Sequence, residues 1–414
     1  MNLISRFFAI ACICNAGLAV GQQFGHEEYP SESYPISGEG YEYQGDGGYY
    51  GDASCESCGP APAKSCFASC LDGFTYGGWA QLGYYTYGSP MRFNNHPDRV
   101  NLSQMWLFAG KQANGAQGLD LGGRIDYVYG VDAQDTQAFG VDNGSWDTGW
   151  DNGIYGSAMP QLYGEAAYGN TSIKMGHFFT LIGYEVVSAP DNFFFSHSYT
   201  MVNSEPFTHT GALVTHKANE FVTVWGGYTL GWDSGYTDNG DNFLGGISVV
   251  LTDYTTITYT NTIGRLNENL ELRGQDMKER GQMHSIVAST TVENFNHVLQ
   301  IDRLDTKNQF DTFARDTFGI NNYLFYDLAD DVAAGLRFEW WNNRRDTNDH
   351  TDVYALTLGL NLKPKEFITV RPEVRWDWDV DAVPLGINEP NPNSPTNSPR
   401  SNQTTFGIDA IVTF

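Results

Sequence analysis

Three groups of residues in this 414-residue chain have types and spacings that could do chemistry. The first is Cys55-x2-Cys58 followed by Cys66-x3-Cys70. Four thiols this close could form disulfides in an oxidising compartment, or hold zinc as a four-thiolate site. Only seven residues separate the two pairs, which is short for a zinc ribbon, so disulfides are the preferred reading and zinc the alternative. The second group is Ser196-His197 with His209 and nearby acids, which could be assembled into a hydrolytic triad. A triad is recognised by geometry, however, and a chain of this length offers several such sets by chance, so no enzyme is expected. The third is a ladder of charge at every second position: Arg371, Glu373, Arg375, Asp377 and Asp379, with Arg337 and Glu339 in the same pattern upstream. In an extended strand that spacing puts all of them on one face. Cross-strand pairs of opposite sign there stabilise a polar wall by about 0.2–1 kcal/mol each.

The elements that must position these groups are strands. The face opposite the ladder reads Val370, Pro372, Val374, Trp376, Trp378 and Val380. Tyr354, Leu356, Leu358, Leu360 and Leu362 likewise oppose Ala355, Thr357, Gly359 and Asn361. Between Phe74 and Phe414 sixteen such stretches can be drawn. Their connections alternate in length: short at 169–170, 217–219, 252–253, 327–330 and 364–366, and long at 133–157, 181–207, 233–241, 265–281, 306–316, 344–352 and 380–403. Alternating short turns and long loops predict an all-β transmembrane antiparallel β-barrel of about 16 strands, with 14 or 18 as alternatives, apolar residues to lipid and charge to the lumen. Both termini then lie on the periplasmic side. Tyr84, Trp225, Trp232, Trp340 and Trp378 are expected in membrane-interface girdles.

Composition agrees. Glycine (46), Tyr (24), Phe (25) and Trp (10) are abundant, as in chains of many strands and turns. No apolar run of about 18 residues occurs, which excludes a helical membrane protein but not a barrel. A net charge of −26 argues against nucleic acid as a partner and would favour cations near a pore mouth. Residues 1–21 read as a secretory signal, with Arg6 before a short apolar core and small residues before Gln22. Residues 22–54 form an acidic, Gly/Tyr-rich leader expected to be disordered. Residues 55–72 form a cysteine cap, and 73–414 the barrel.

Several stretches then point to a family. The aromatic Phe414 at the chain end resembles the assembly signal of bacterial outer-membrane barrels. MGHFFTLIGYE at 175–185, APDNFFFSHSY at 189–199, EPFTHTG at 205–211, GGYTLGWD at 226–233, DLADDVAAGLRFEWW at 327–341 and FITVRPEVRWDW at 367–378 resemble the OmpL-like beta-barrel porin-2 family. The resemblance implies a cell outer membrane porin, a water-filled channel for passive diffusion of small hydrophilic solutes, with no cofactor. Outer-membrane lipid and the barrel assembly machinery would be its partners, and a homotrimer is one arrangement open to it. The loop 181–207 carries Phe193, Phe194, Phe195, Tyr199 and Phe207, too apolar to lie in water. Its position in a porin predicts a constriction formed by Glu185, Asp191, His197 and Glu205; aromatics that only pin the loop to the wall are the alternative. The lumen wall is expected to include Arg337, Glu339, Arg371, Glu373, Arg375 and Asp377, and the pore to prefer cations mildly. The rival readings are a structural barrel that anchors the envelope without an open pore, and a barrel hydrolase.

Overall fold

Period-two alternation becomes sixteen strands in the computed structural model. It describes residues 73–88, 93–138, 147, 149–236, 240–272, 275–344, 350–379 and 402–414. The signal segment, the leader and the cap with Cys55, Cys58, Cys66 and Cys70 lie outside the described residues. In chain order the strands are β1 (Thr75–Tyr85), β2 (Val100–Lys111), β3 (Asp120–Gly130), β4 (Gly156–Tyr168), β5 (Thr171–Phe179), β6 (Thr208–Lys217), β7 (Val222–Thr229), β8 (Asp241–Thr252), β9 (Thr255–Leu272), β10 (Gln275–Val292), β11 (Phe295–Asn308), β12 (Phe313–Ala329), β13 (Val332–Arg344), β14 (His350–Lys365), β15 (Ile368–Asp379) and β16 (Asn402–Thr413). Each pairs antiparallel with its sequence neighbours, and β1 pairs with β16, so the sheet closes and leaves no edge. Phe414 extends that seam, exchanging backbone hydrogen bonds of 2.9 Å with Gly78. Two short helices, α1 (Val131–Thr136) and α2 (Tyr199–Ser204), lie in connections.

Register carries the two faces around the barrel. Arg337 stands opposite Tyr323 and Thr357, Thr357 opposite Arg375, and Arg371 opposite Asp409. This charged set points inward. The outward set holds Leu336, Leu358, Val374, Phe406 and Val412. At one end the strands are joined by tight turns such as Gly169-Asn170, where Gly169 takes the left-handed φ of +58° that a two-residue hairpin needs. The other end carries the long connections.

Two expectations are corrected. Residues 265–281 are not a long loop: β9 and β10 run on as an extended hairpin to Leu272 and from Gln275, and 306–316 shortens in the same way. Alternating polar residues such as Arg265, Asn267 and Glu279 continue the strand period above any lipid band, so hydrophilicity alone misplaced the strand ends. Trp225 and Trp232 are not girdle residues either. Both are buried inside the barrel with Phe178, Leu181, Ile182, Leu213, Leu244, Leu266, Met283 and Leu304. A tryptophan near a strand end reads the same whether it meets lipid or an interior loop. Trp340, Tyr354 and Trp378 do face outward and stack in a row.

Candidate pore constriction

The connection 180–207, between β5 and β6, folds into the barrel. Irregular backbone buried from water needs hydrogen-bond partners, and the inward charge ladder supplies them. Glu373 accepts from the amides of Phe195 (3.0 Å) and Ser196 (3.1 Å), and Glu339 from that of Tyr199 (2.6 Å). Arg371 is held on Asp409 (3.0 Å) and donates to the carbonyls of Ala189 (2.8 Å) and Asn192 (2.6 Å). Arg375 donates to the His197 carbonyl (2.6 Å), Asp377 (2.7 Å) and Glu339 (3.1 Å). Arg337 donates to Glu185 (2.7 Å), the Ser196 carbonyl (2.7 Å) and Ser196 Oγ (3.0 Å). Across the lumen, Gln104 on β2 donates to the Val187 carbonyl (2.8 Å) and accepts from the Ala189 amide (3.1 Å). On a third side Thr200 bonds Asn321 (3.2 Å) and Ser204 bonds Thr317 (2.6 Å). The loop is clamped all round.

Its aromatics are seated in glycine sockets. Phe193, Phe194 and Phe195 pack over Gly335, Gly359 and Gly83, where an added Cβ would collide with or crowd each ring. Phe195 also stacks on Tyr85 at 4.3 Å, and Phe194 lies under the Arg337 guanidinium at 5.1 Å. Ser198 caps α2 by accepting from the Met201 amide (3.1 Å), and Tyr199 stacks on Trp341 at 6.0 Å.

The four expected constriction residues are treated differently. Glu185 is 8 % exposed, with His197 Nδ1 at 3.4 Å and Arg337 at 2.7 Å. Burial pushes its carboxyl up, but Arg337 outweighs that, aided by His197 and the Ser198 amide, and holds it at about 2. Glu205 is 4 % exposed and accepts from Gln300 at 2.5 Å. Gly183, at φ +91°, runs so close to the Glu205 carboxylate that no side chain fits there. The structure thus turns Glu185 and Glu205 to the wall, with His197 beside Glu185. Asp191 alone of the four is exposed. Arg337, Glu339, Arg371, Glu373, Arg375 and Asp377 point inward and lie under the loop, each at most 9 % exposed.

Burial pushes the Glu205 carboxyl well up, and Asp302 beside it pushes the same way. The folded chain therefore holds a proton that the unfolded chain gives up. Stability of the seated loop falls as pH rises from the ordinary glutamate range through the raised value. Channel current recorded at rising pH is expected to become noisier, and Glu205→Gln to abolish that trend; a pH-independent wild type would refute it.

Accessible charge at this level includes residues that the sequence reading passed over. Arg124 on β3 is 26 % exposed, grips Asp126 at 2.6 and 3.0 Å, and senses Asp191 electrostatically. Lys174 on β5 lies over the Tyr163 ring at 5.1 Å. Arg124 and Asp126 show the same every-second-residue signal as the ladder, but as one pair it did not stand out. Ser196, His197 and His209 do not assemble. Ser196 Oγ is taken by Arg337, His209 bonds Thr180 (3.1 Å) and Gly231 (3.3 Å), and among the described residues no hydrogen bond joins the serine to either histidine.

Residues 73–414 match the family model described as Putative beta-barrel porin-2, OmpL-like. The chain belongs to this family. The porin lies in the outer membrane, and its family and fold are those of a channel. The anion-selective porin from Comamonas acidovorans shares the fold at TM-score 0.55 and 10% identity, covering 82% of this chain and 99% of that one. OprB of Pseudomonas putida does so at 0.53 and 12%, covering 84% and 96%. OmpT of Vibrio cholerae follows at 0.53 and 11%, covering 82% and 97%. At such identities the likeness is one of fold. No curated protein matches the chain.

Proposed function

We propose that this porin passes small hydrophilic solutes by passive diffusion, and that the loop 180–207 narrows the passage to one side of the lumen. The observation that carries this reading is the placement of the exposed Asp191 within electrostatic reach of Arg124, while the rest of the loop is clamped to the barrel wall by Glu373, Arg371 and Gln104. The pore prefers cations mildly. The chain has 49 acidic against 23 basic side chains, and a negative field at the mouths concentrates cations over a Debye length of roughly 10 Å at 0.1 M salt. Glu185 is neutralised by Arg337 and Glu205 is buried against Gln300, so Asp191, exposed although burial pushes its carboxyl up to about 6, is the loop acid that contributes.

Single-channel recording in salt gradients tests the reading. Reversal potentials should favour cations at low salt and approach neutrality at high salt. Asp191→Asn should reduce the low-salt preference severalfold while leaving the barrel heat-modifiable. An anion-selective wild type, or an Asp191→Asn porin with unchanged selectivity, counts against it.

A second reading, a barrel closed at rest, is favoured by one observation. The inward Thr258, Thr260, Thr262 and Ser285, which an open lumen would wet, are each at most 3 % exposed. Near-zero wild-type conductance would select it.

Both termini are assigned to the periplasm, from the short-turn end that they share. Protease added to intact cells should then cut within 380–403 and spare 364–366. Cleavage at the short turns in sealed cells reverses the orientation.

A further inference from the structure

An acid of the loop and a base of the wall stand near each other in the lumen without joining. The acid is Asp191, at the end of the tight turn Ala189–Asp191, and its neighbours fix its place. Pro190 stiffens the turn. The Ala189 amide is held by Gln104 on β2 (3.1 Å) and its carbonyl by Arg371 on β15 (2.8 Å). Asn192 locks the far side of the turn. Its carboxamide donates to the carbonyls of Val186 (2.6 Å) and Ser188 (2.9 Å) and accepts from the Val186 amide (3.0 Å). The Asp191 carboxylate takes the Ser188 hydroxyl and stays exposed.

The base is Arg124, inward on β3 and opposite Gly110 and Tyr163 in register. Asp126 binds its Nε (2.6 Å) and Nη2 (3.0 Å), and the Trp106 indole holds the same carboxylate (2.9 Å). The guanidinium lies over the Phe108 ring at 4.7 Å, with the side chain 26 % exposed. Among the described residues no hydrogen bond uses Arg124 Nη1 and no ion pair joins Arg124 to Asp191, although each feels the charge of the other. Phe108, and Phe179 beyond Trp106, are half-buried against the Trp79–Trp106 cluster and leave apolar surface near the base.

We propose that the gap between Asp191 and Arg124 is a binding site for a small zwitterion, an α-amino acid with an apolar side chain. Its ammonium meets Asp191, its carboxylate takes Nη1 of Arg124, and its side chain lies towards Phe108. A simple cation at Asp191 is repelled by Arg124, and a simple anion at Arg124 is repelled by Asp191 and Asp126. A molecule with both charges on one carbon answers both groups and brings no net charge into the lumen. Hydrogen bonds between charged groups are the strong ones, and a guanidinium held in one plane suits a carboxylate. Water in the passage screens them, so the solute is held briefly and moves on. This inference deepens the passive-diffusion reading by naming a solute class, and it rests on an open passage beside Asp191.

Swelling of liposomes carrying the full chain tests it, with L-valine compared against erythritol, an uncharged solute of similar mass. L-Valine should enter severalfold faster than erythritol. Asp191→Asn and Arg124→Gln should each bring the ratio of the two rates to unity, although they move ion selectivity in opposite directions, the first towards anions and the second towards cations. A field acting alone would not lower the ratio in both. If loss of Arg124 leaves Asp126 stranded and the barrel does not fold, Arg124→Gln/Asp126→Asn removes the buried pair together and should give the same ratio. L-Valine no faster than erythritol, or a ratio lowered at only one of the two positions, overturns this inference while leaving diffusion intact. Exclusion of both solutes overturns the passage and this inference together.

Discussion

Arg337→Met should turn a narrow, quiet conductance into a wider and noisier one. Arg337 is fully buried and ties Glu185, Ser196 and, at 3.2 Å, Thr357 of the wall into one knot. Removing it leaves the Glu185 carboxylate buried without its cation, a loss of about 3–5 kcal/mol. Only the loop can relax, because the strands keep their ladder hydrogen bonds. With the loop unseated, protease added to detergent-solubilised protein should cut within 180–207, where wild type resists. The sign of the pH response follows from the same pair. Glu185, held down at about 2, stabilises the seated loop above the ordinary glutamate range, and that contribution fades as pH falls toward 2. In the variant only His197 and the Ser198 amide oppose burial, so this loss of stability on acidification should shrink or reverse. The double variant Glu185→Gln/Arg337→Met should recover part of the loss, since a neutral pair is cheaper to bury than one charge. Unchanged conductance and protease resistance in Arg337→Met would remove this knot from the constriction.

Gly83→Val should have an effect of similar kind through packing alone. The new side chain would occupy the site of the Phe195 ring, which is stacked on Tyr85. Overpacking of this sort costs about 1–3 kcal/mol. Valine suits a strand, so β1 and the β1–β16 seam should persist and the loop should yield instead. Conductance should rise while heat-modifiability stays. Adding Phe195→Ala to Gly83→Val clears the socket and should restore the smaller conductance level, a non-additive result diagnostic of direct contact. A Gly83→Val porin indistinguishable from wild type would show that the ring is not seated there.

Much of this molecule was legible in the chain itself, for physical reasons. A closed barrel repeats one simple constraint, lipid on one side and polar interior on the other, so the period of two survives in strand after strand. The inward direction of Arg337, Glu339, Arg371, Glu373, Arg375 and Asp377 and the outward direction of Leu356, Leu358 and Val374 follow from it. The need of Phe193–Phe195 to pack on something was equally plain from their apolarity. Tertiary structure decided what the inward charges touch. Glu185 and Glu205 sit in a polar loop and read as acids aimed at solutes; in the fold one is neutralised by Arg337 and the other shares a carboxamide on β11. Trp225 and Trp232 changed sides for a similar reason, since a loop folded inward makes part of the lumen as apolar as the membrane. Asp191 and Arg124 are 67 positions apart in the sequence and lie on a loop and a strand. Periodicity acts over a few residues and says which way a side chain points. Which residues from distant strands it meets depends on where a long irregular loop comes to rest, and that is set by sockets and clamps spread around the whole barrel.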